Sequence, residues 1–268
     1  MSSSTIWLSI NREHVAKIFA SIDKSFYKIT ISQSHEATDA LRIVLKDAAD
    51  NFAVCLDKEF NRLEKAHVRA KVAGTDYTCA QNYGSYTPAD HDTYRRLYER
   101  QAALVAGRAC DEFLAALPLL GAKERIPRFE DVNERLRKAT QWQIVAVPGL
   151  IPELPFFTLL AQRKFPVTDW IRTPVEFDYI VEPDIFHDLF GHVPLLFNPI
   201  FADHMQEYGK GGLKAQRLGA CEHLSRLYWY TIEFGLIRQN DGLRAYGAGI
   251  ISSPGELPYA VSDPRPQR

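Results

Sequence analysis

At 268 residues, 46% hydrophobic and 24% charged, the chain is long enough for one large globular domain with a sizeable core, or a domain plus an appendage. Its formal net charge of −1 offers no basic field to nucleic acid or to an anionic membrane, so neither partner class is expected. The four cysteines (Cys55, Cys79, Cys110 and Cys221) form no CxxC pair, and the N-terminal apolar run TIWLSI is too short for a signal-peptide core or a membrane span. Both features suit reduced thiols and a cytoplasmic location.

Residues 1–72 read as an N-terminal helical segment. Leu41, Val44, Leu45 and Ala48, then Phe52, Cys55 and Leu56, recur at helical spacing with charges on the other face. Nothing in this segment suggests chemistry. The run AGTDYTCAQNYGSYTP at 73–88 is rich in Gly, Thr and Ser and marks a boundary, which opens a second domain over 73–268. Thr87-Pro88 reads as an N-cap followed by proline in the first turn, and Tyr94, Leu97, Tyr98, Leu104 and Val105 give the next helix one apolar face. Phe129, Val132, Leu136 and Ala139 predict a second amphipathic helix. Trp142 to Val147 is a short β-like run ending at Pro148-Gly149.

Residues 149–183 carry five prolines among aromatics, a composition that suits interrupted elements walling a cleft. Further on, FADHMQEYG reads as helix. GACEHLSRLYWYTIEFGLIR reads as one long helix with Cys221, Leu224, Leu227, Tyr228, Ile232 and Leu236 on its apolar face. Gln239 to Gly242 is a turn, Leu243 to Ile251 a hairpin arm, and VSDPRPQR a polar tail. The predicted class is mostly α with a few short β-strands.

The stretch EPDIFHDLFGH places His187 and His192 five residues apart beside Asp184 and Asp188. Five residues of an ideal α-helix turn about 500°, leaving the two side chains about 140° apart. They converge only if the helix distorts or ends between them, and Gly191 immediately precedes His192. Glu233 is the best third partner, because a carboxylate within YWYTIEFGLI is costly unless it is paired or bound to a cation. Two histidines and a carboxylate with coordination positions left open describe the ligand set of non-haem Fe(II) oxygenases. From spacing alone, zinc and ordinary hydrogen-bonded histidines stay open beside iron. So does a zinc hydrolase using His187 and His192 with Asp184 or Glu233.

Seven phrases in order extend the pattern: GSYTP at 84–88, ERQ at 99–101, GRACDEFL at 107–114, VAVPGLIP at 145–152, EPDIFHDLFGHVPLL at 182–196, RLYWYTIEFGL at 226–236 and AYGAGIISSPGE at 245–256. In these the chain resembles the biopterin-dependent aromatic amino acid hydroxylases, most closely the short bacterial phenylalanine 4-hydroxylases, from about Tyr77 to about Pro258. The resemblance implies a helical basket around an iron site. It implies His187, His192 and Glu233 as the catalytic iron ligands. It implies Arg172 as the clamp on the substrate carboxylate, a role suited to a guanidinium fork; the alternative for Arg172 is a surface ion pair with Asp169 or Glu176. Pro183 and Trp229 match the slot for the aromatic ring, and Ser252 matches a serine near the first iron histidine and the substrate. For the pterin, Phe156 matches the stacking aromatic, and Gly149, Leu150 and Ile151 match the loop along its edge. The resemblance places Tyr228 on the wall between pterin and iron, and Asp188 matches a position that is often Glu.

The implied cofactors are Fe(II) and tetrahydrobiopterin or a related tetrahydropterin, with O2 as co-substrate. The implied reaction is hydroxylation of a free aromatic amino acid, phenylalanine to tyrosine first, by a monomer or small homo-oligomer. Tryptophan or tyrosine as substrate is the same-fold alternative. Family members usually continue for several tens of residues, so the resemblance also implies a C-terminally short domain, and a truncated non-catalytic relative stands as a further alternative. The resemblance does not extend to the first 70 residues.

Overall fold

The computed structural model describes the backbone of residues 4–9, 27–32 and 40–45, and residues 76–180, 182–239 and 242–266 in full. The chain divides into two compact units, Met1–Val68 and Arg69–Arg268. Among the described residues no helix is long and apolar enough to cross a membrane.

The first unit contains an antiparallel sheet of β1 (Ser4–Ser9), β2 (Tyr27–Ser32) and β3 (Ala40–Leu45), ordered β1-β3-β2. Ile6 and Ile29 both pair with Ile43 of the central strand. The helical segment expected over 1–72 is corrected here, since Ala40–Leu45 is a strand. Over six residues the spacing of Leu41, Val44 and Leu45 cannot separate the two conformations, and the adjacent Ile43 and Val44 favour extended backbone. Ala48, Phe52, Cys55 and Leu56 of that reading lie outside the described residues.

The second unit starts with α1 (Pro88–Val105), closed at its N-terminus by a reciprocal cap. Asp90 N donates to Thr87 Oγ1 at 3.2 Å, and Thr87 N donates to Asp90 Oδ2 at 2.8 Å. Tyr94, Leu97, Tyr98 and Val105 are buried as expected, and Gln101 joins them. Next come α2 (Asp111–Leu120) and α3 (Phe129–Thr140). In α3 Phe129, Val132 and Leu136 are buried, but Ala139 is exposed, and Asn133 and Thr140 take inward positions. Asn133 explains its own burial: Nδ2 donates to Ile144 O at 3.0 Å, and Oδ1 accepts from Ile144 N at 2.6 Å. The side chain thus stands in for a neighbouring strand along the next element.

That element, β4 (Gln143–Val147), pairs in parallel with β5 (Lys164–Thr168), with α4 (Glu153–Ala161) as the crossover. α5 (Pro199–Arg217) starts at Asn198, whose side chain accepts from Ile200 N and Phe201 N. It runs past its three glycines because two of them let α4 approach. A Cβ on Gly209 would lie 2.3 Å from Ala161 N, and one on Gly212 would lie 2.1 Å from the buried Phe157 ring.

The long helix expected over 219–238 is interrupted. α6 spans Cys221–Tyr228, a π-helical turn follows over Trp229–Glu233, and the chain then enters β6 (Leu236–Gln239). Leu227 is half exposed. Cys221 is only partly buried and lies 3.0 Å from Gln216 Oε1. Gly235 breaks the helical pattern: a Cβ there would meet Thr231 O and the Tyr246 ring at 2.2 Å. β7 (Gly242–Ala245) pairs antiparallel with β6, but Ala248–Ile251 is helix α7 rather than the rest of a hairpin arm. α8 spans Glu256–Ser262.

Gly212→Ala is expected to cost about 1–3 kcal/mol by overpacking against Phe157. Gly211→Ala is the control on the same helix. Its nearest Cβ neighbour would be 3.9 Å away, so the helix propensity gain of about 0.5–1 kcal/mol is unopposed. Urea midpoints that fall for the first variant and hold or rise for the second verify this packing.

Candidate metal centre

The backbone resolves the spacing of the two histidines. His187–His192 is a π-helical turn in which Val193 N donates to Asp188 O, five residues back, at 3.3 Å. An i→i+5 turn places residues five apart one above the other, which an α-helix does not. The ring centroids of His187 and His192 are 5.1 Å apart, with the planes at 84°. Glu233 ends the second π turn, where Phe234 N donates to Trp229 O at 3.0 Å. Glycines let these two turns close around α7. A Cβ on Gly191 would sit 3.0 Å from Ala248 O, and one on Gly247 would sit 2.5 Å from Glu233 O.

One ligand atom from each of His187, His192 and Glu233 lies within 4.8 Å of the others, the only such cluster among the described residues. His192 Nε2 is 3.0 Å from Glu233 Oε1, and His187 Nε2 is 3.8 Å from Glu233 Oε2. Both rings therefore present Nε2 to one point. The far nitrogen of His187, Nδ1, lies 2.8 Å from Ser252 Oγ. Two imidazole nitrogens and a carboxylate on one side of an open cleft fit a divalent metal of the iron or zinc kind.

Burial pushes His187 down to about 4, so its ring is neutral and ready to ligate at neutral pH. Burial also opposes charge on His192, but the Glu233 carboxylate beside it outweighs that and holds His192 above its ordinary value. Burial likewise penalises the Glu233 anion, yet the two histidines and the Gly249 N–H bring its carboxyl down to about 2. Burial raises Asp188 to about 7, against a hydrogen bond that its Oδ2 accepts from Thr168 N at 2.7 Å.

Arg172 is buried and paired with neither Asp169 nor Glu176. Its Nε donates to Asp184 Oδ2 at 2.8 Å, its Nη2 to Oδ1 at 2.9 Å, and its backbone N to Oδ2 at 3.0 Å. Asp184 Oδ1 also accepts from His187 N at 3.0 Å. The fully buried Asp184 carboxylate thus ties the arginine to the first histidine. Arg172 holds it below the ordinary carboxylate range, against the opposing effect of burial. No substrate role follows for Asp184 from sequence, although an acid three residues before His187 in an apolar run signals a buried partner.

All the expected site residues line one cleft of about 680 Å³, a volume usual for small-ligand sites. His187, His192 and Glu233 lie beside Arg172, Pro183, Trp229 and Ser252. Gly149, Leu150, Ile151, Phe156, Asp188 and Tyr228 share the same walls. Phe156 and Tyr228 meet edge to face at 5.3 Å, and Tyr228 stacks 6.3 Å from His192. The structure adds Phe165, 4.9 Å from the His192 ring, and also Tyr179, Glu182 and Phe234. A second concavity of about 780 Å³ beside α2 holds none of the expected residues.

Comparison with known proteins identifies the family. The family described as biopterin-dependent aromatic amino acid hydroxylase matches residues 56–268, so the match starts earlier than the motifs alone suggest. A phenylalanine-4-hydroxylase of Ralstonia nicotianae is 60% identical over 194 residues, 72% of this chain and 62% of the relative. Its Chromobacterium violaceum counterpart is 55% identical over 194 residues, 72% and 65% respectively. The chain thus spans less than two thirds of the length of these two relatives. A crystal structure of the C. violaceum phenylalanine hydroxylase with iron and phenylalanine bound has a TM-score of 0.72 at 51% identity, covering 76% of this chain and 74% of that one. A cobalt-bound structure of the same enzyme has a TM-score of 0.74 at 52% identity, with the same coverage.

Asp184→Ala is expected to cost about 3–5 kcal/mol, because it leaves the Arg172 charge buried without its partner; chemical unfolding measures it. Bound divalent metal is expected to leave as pH falls. Protons compete first at His192, whose value is raised, and then at His187, while Glu233 stays ionised. Metal content after dialysis should be complete at about pH 8 and drop steeply below about pH 6.

Proposed function

The chain belongs to the biopterin-dependent aromatic amino acid hydroxylases, and we propose that it is an Fe(II)- and tetrahydropterin-dependent monooxygenase that converts phenylalanine to tyrosine with O2. The convergence of His187, His192 and Glu233 on the wall of the cleft that also holds Arg172 carries this reading. When bound, iron and tetrahydropterin together activate O2 for transfer of one oxygen atom to the aromatic ring. His187, His192 and Glu233 would hold the iron and leave the cleft side open.

The other residues orient the reactants. Arg172 spends Nε and Nη2 on Asp184, which locks the guanidinium plane. Nη1 has no partner among the described residues, and Arg172 faces the cleft, so the substrate carboxylate would take that edge. Pro183 and Trp229 would flank the substrate ring. Ser252 fixes His187 through Nδ1, which leaves Nε2 for the metal. Phe156 and Tyr228 offer the pterin an aromatic wall, with Gly149, Leu150 and Ile151 along its edge. Asp188, poised near neutrality by burial, can hold or release a proton at the pterin side. The names of the relatives favour phenylalanine over tryptophan or tyrosine.

The test is anaerobic loading with Fe(II), followed by O2 and a tetrahydropterin, with phenylalanine, tyrosine and tryptophan offered separately. Tyrosine formed from phenylalanine in step with pterin oxidation is the expected result. Iron bound with no product from any of the three rejects the proposed reaction. Glu233→Ala should lose iron and product together.

A further inference from the structure

Gln101 lies on the buried face of α1 with no exposed surface, and no residue of α1 lines the cleft. Its amide Nε2 donates two hydrogen bonds, to Ile251 O at 2.6 Å and to Ser253 O at 3.2 Å. These carbonyls flank Ser252, the residue whose Oγ lies 2.8 Å from His187 Nδ1. α7 has only four residues, so the Ile251 carbonyl at its C-terminal end lacks a partner within the helix, while Ser253 O also accepts from Leu257 N at 3.3 Å. The amide nitrogen suits the place, while Oε1 is buried without a hydrogen-bond partner among the described residues. The nitrogen provides two N–H donors on one planar centre and, unlike lysine, brings no charge into the interior.

We infer that Gln101 is a positioning residue for the metal centre: it clamps the peptide that leads into Ser252 and the carbonyl of the residue after it, and so fixes the backbone carrying the hydroxyl that orients His187. The inference rests on the reading that His187 binds metal through Nε2. In that tautomer Nδ1 carries the proton and donates it to Ser252 Oγ. The hydroxyl can accept in one direction only if its own backbone is held. The Ser252 N–H already bonds to Ala248 O at 2.9 Å, and Gln101 holds the two carbonyls around it. A chain of two hydrogen-bonded links thus runs from the buried face of α1 to Nδ1 of His187, the ring nitrogen opposite the ligand Nε2.

A structural tie between α1 and α7 would give the same contacts, so the test separates the two roles. Fe(II) binding is measured anaerobically, with Co(II) as a second probe, for the unmodified chain, Gln101→Met, Ser252→Ala and the double variant. Gln101→Met keeps the length of the side chain and removes both donors. Partners of metal-bound histidines usually contribute about 10–100-fold to affinity. Gln101→Met is therefore expected to weaken binding about 10-fold, and the double variant to bind no more weakly than Ser252→Ala alone.

Losses that multiply in the double variant, or native folding of Gln101→Met with unchanged affinity, overturn the inference. If Gln101→Met does not fold, Gln101→Asn replaces it in the same cycle, being one methylene too short to reach both carbonyls. A second readout needs no metal. The hydrogen-bonded His187 Nδ1 proton should be visible by NMR in the metal-free chain and broaden in the Gln101 variant; an unchanged signal overturns the positioning role. An unmodified chain that binds neither metal rejects the proposed function instead, and the Nδ1 signal still decides the role of Gln101.

Discussion

The site depends on one departure from α-helical geometry. Two histidines five residues apart point away from each other on an α-helix and toward each other on an i→i+5 turn. The chain makes that turn at His187–His192 and a second one at Trp229–Glu233, and the facing ends of the two bring two imidazoles and a carboxylate to one point. Neither turn stands alone. Each is pressed against α7 at a glycine, Gly191 in one case and Gly247 in the other, where a single methyl group would collide with backbone. The packing that permits the π turns is therefore the packing that assembles the ligands.

Electrostatics bind the same elements together. A carboxylate as buried as Asp184 is tolerable only because Arg172 grips it with two side-chain donors while the His187 backbone supplies another. The pair sets the plane of the guanidinium and the start of the first π turn at once. Two functions proposed for different parts of the cleft, substrate anchoring and metal binding, thus share one buried anion. On the other side of His187, Ser252 and Gln101 form an uncharged counterpart that reaches back to α1. The first histidine is held from two directions by groups of opposite character, one ionic and one neutral.

Much of the fold is legible along the chain. The Thr87-Pro88 cap, the apolar faces of α1 and α3 and the short strand before Pro148 all occur where local pattern places them. Failures are equally local. Six residues at 40–45 satisfy helix and strand periodicity alike, and the sheet pairing decides for the strand. The apolar run through 221–236 looks continuous because its spacing is continuous. Gly235 ends it, and the reason is a crowding by Tyr246 from beyond the turn. Ala139 has the right spacing for burial in α3, yet Asn133 is buried instead because its amide pairs with both backbone groups of Ile144.

By itself the sequence determined the donor types at the site, since His187, His192, Glu233 and Arg172 are chemical identities that motif order can carry. It also determined that Glu233 needs a counter-charge, because a carboxylate among apolar residues is costly wherever the chain folds. Tertiary structure alone decided that the histidines converge, that Arg172 is half committed to Asp184, and that Gln101 stands behind Ser252. Those facts depend on hydrogen bonds and close packing between residues 12 to 152 positions apart, and no local spacing records which distant group will arrive.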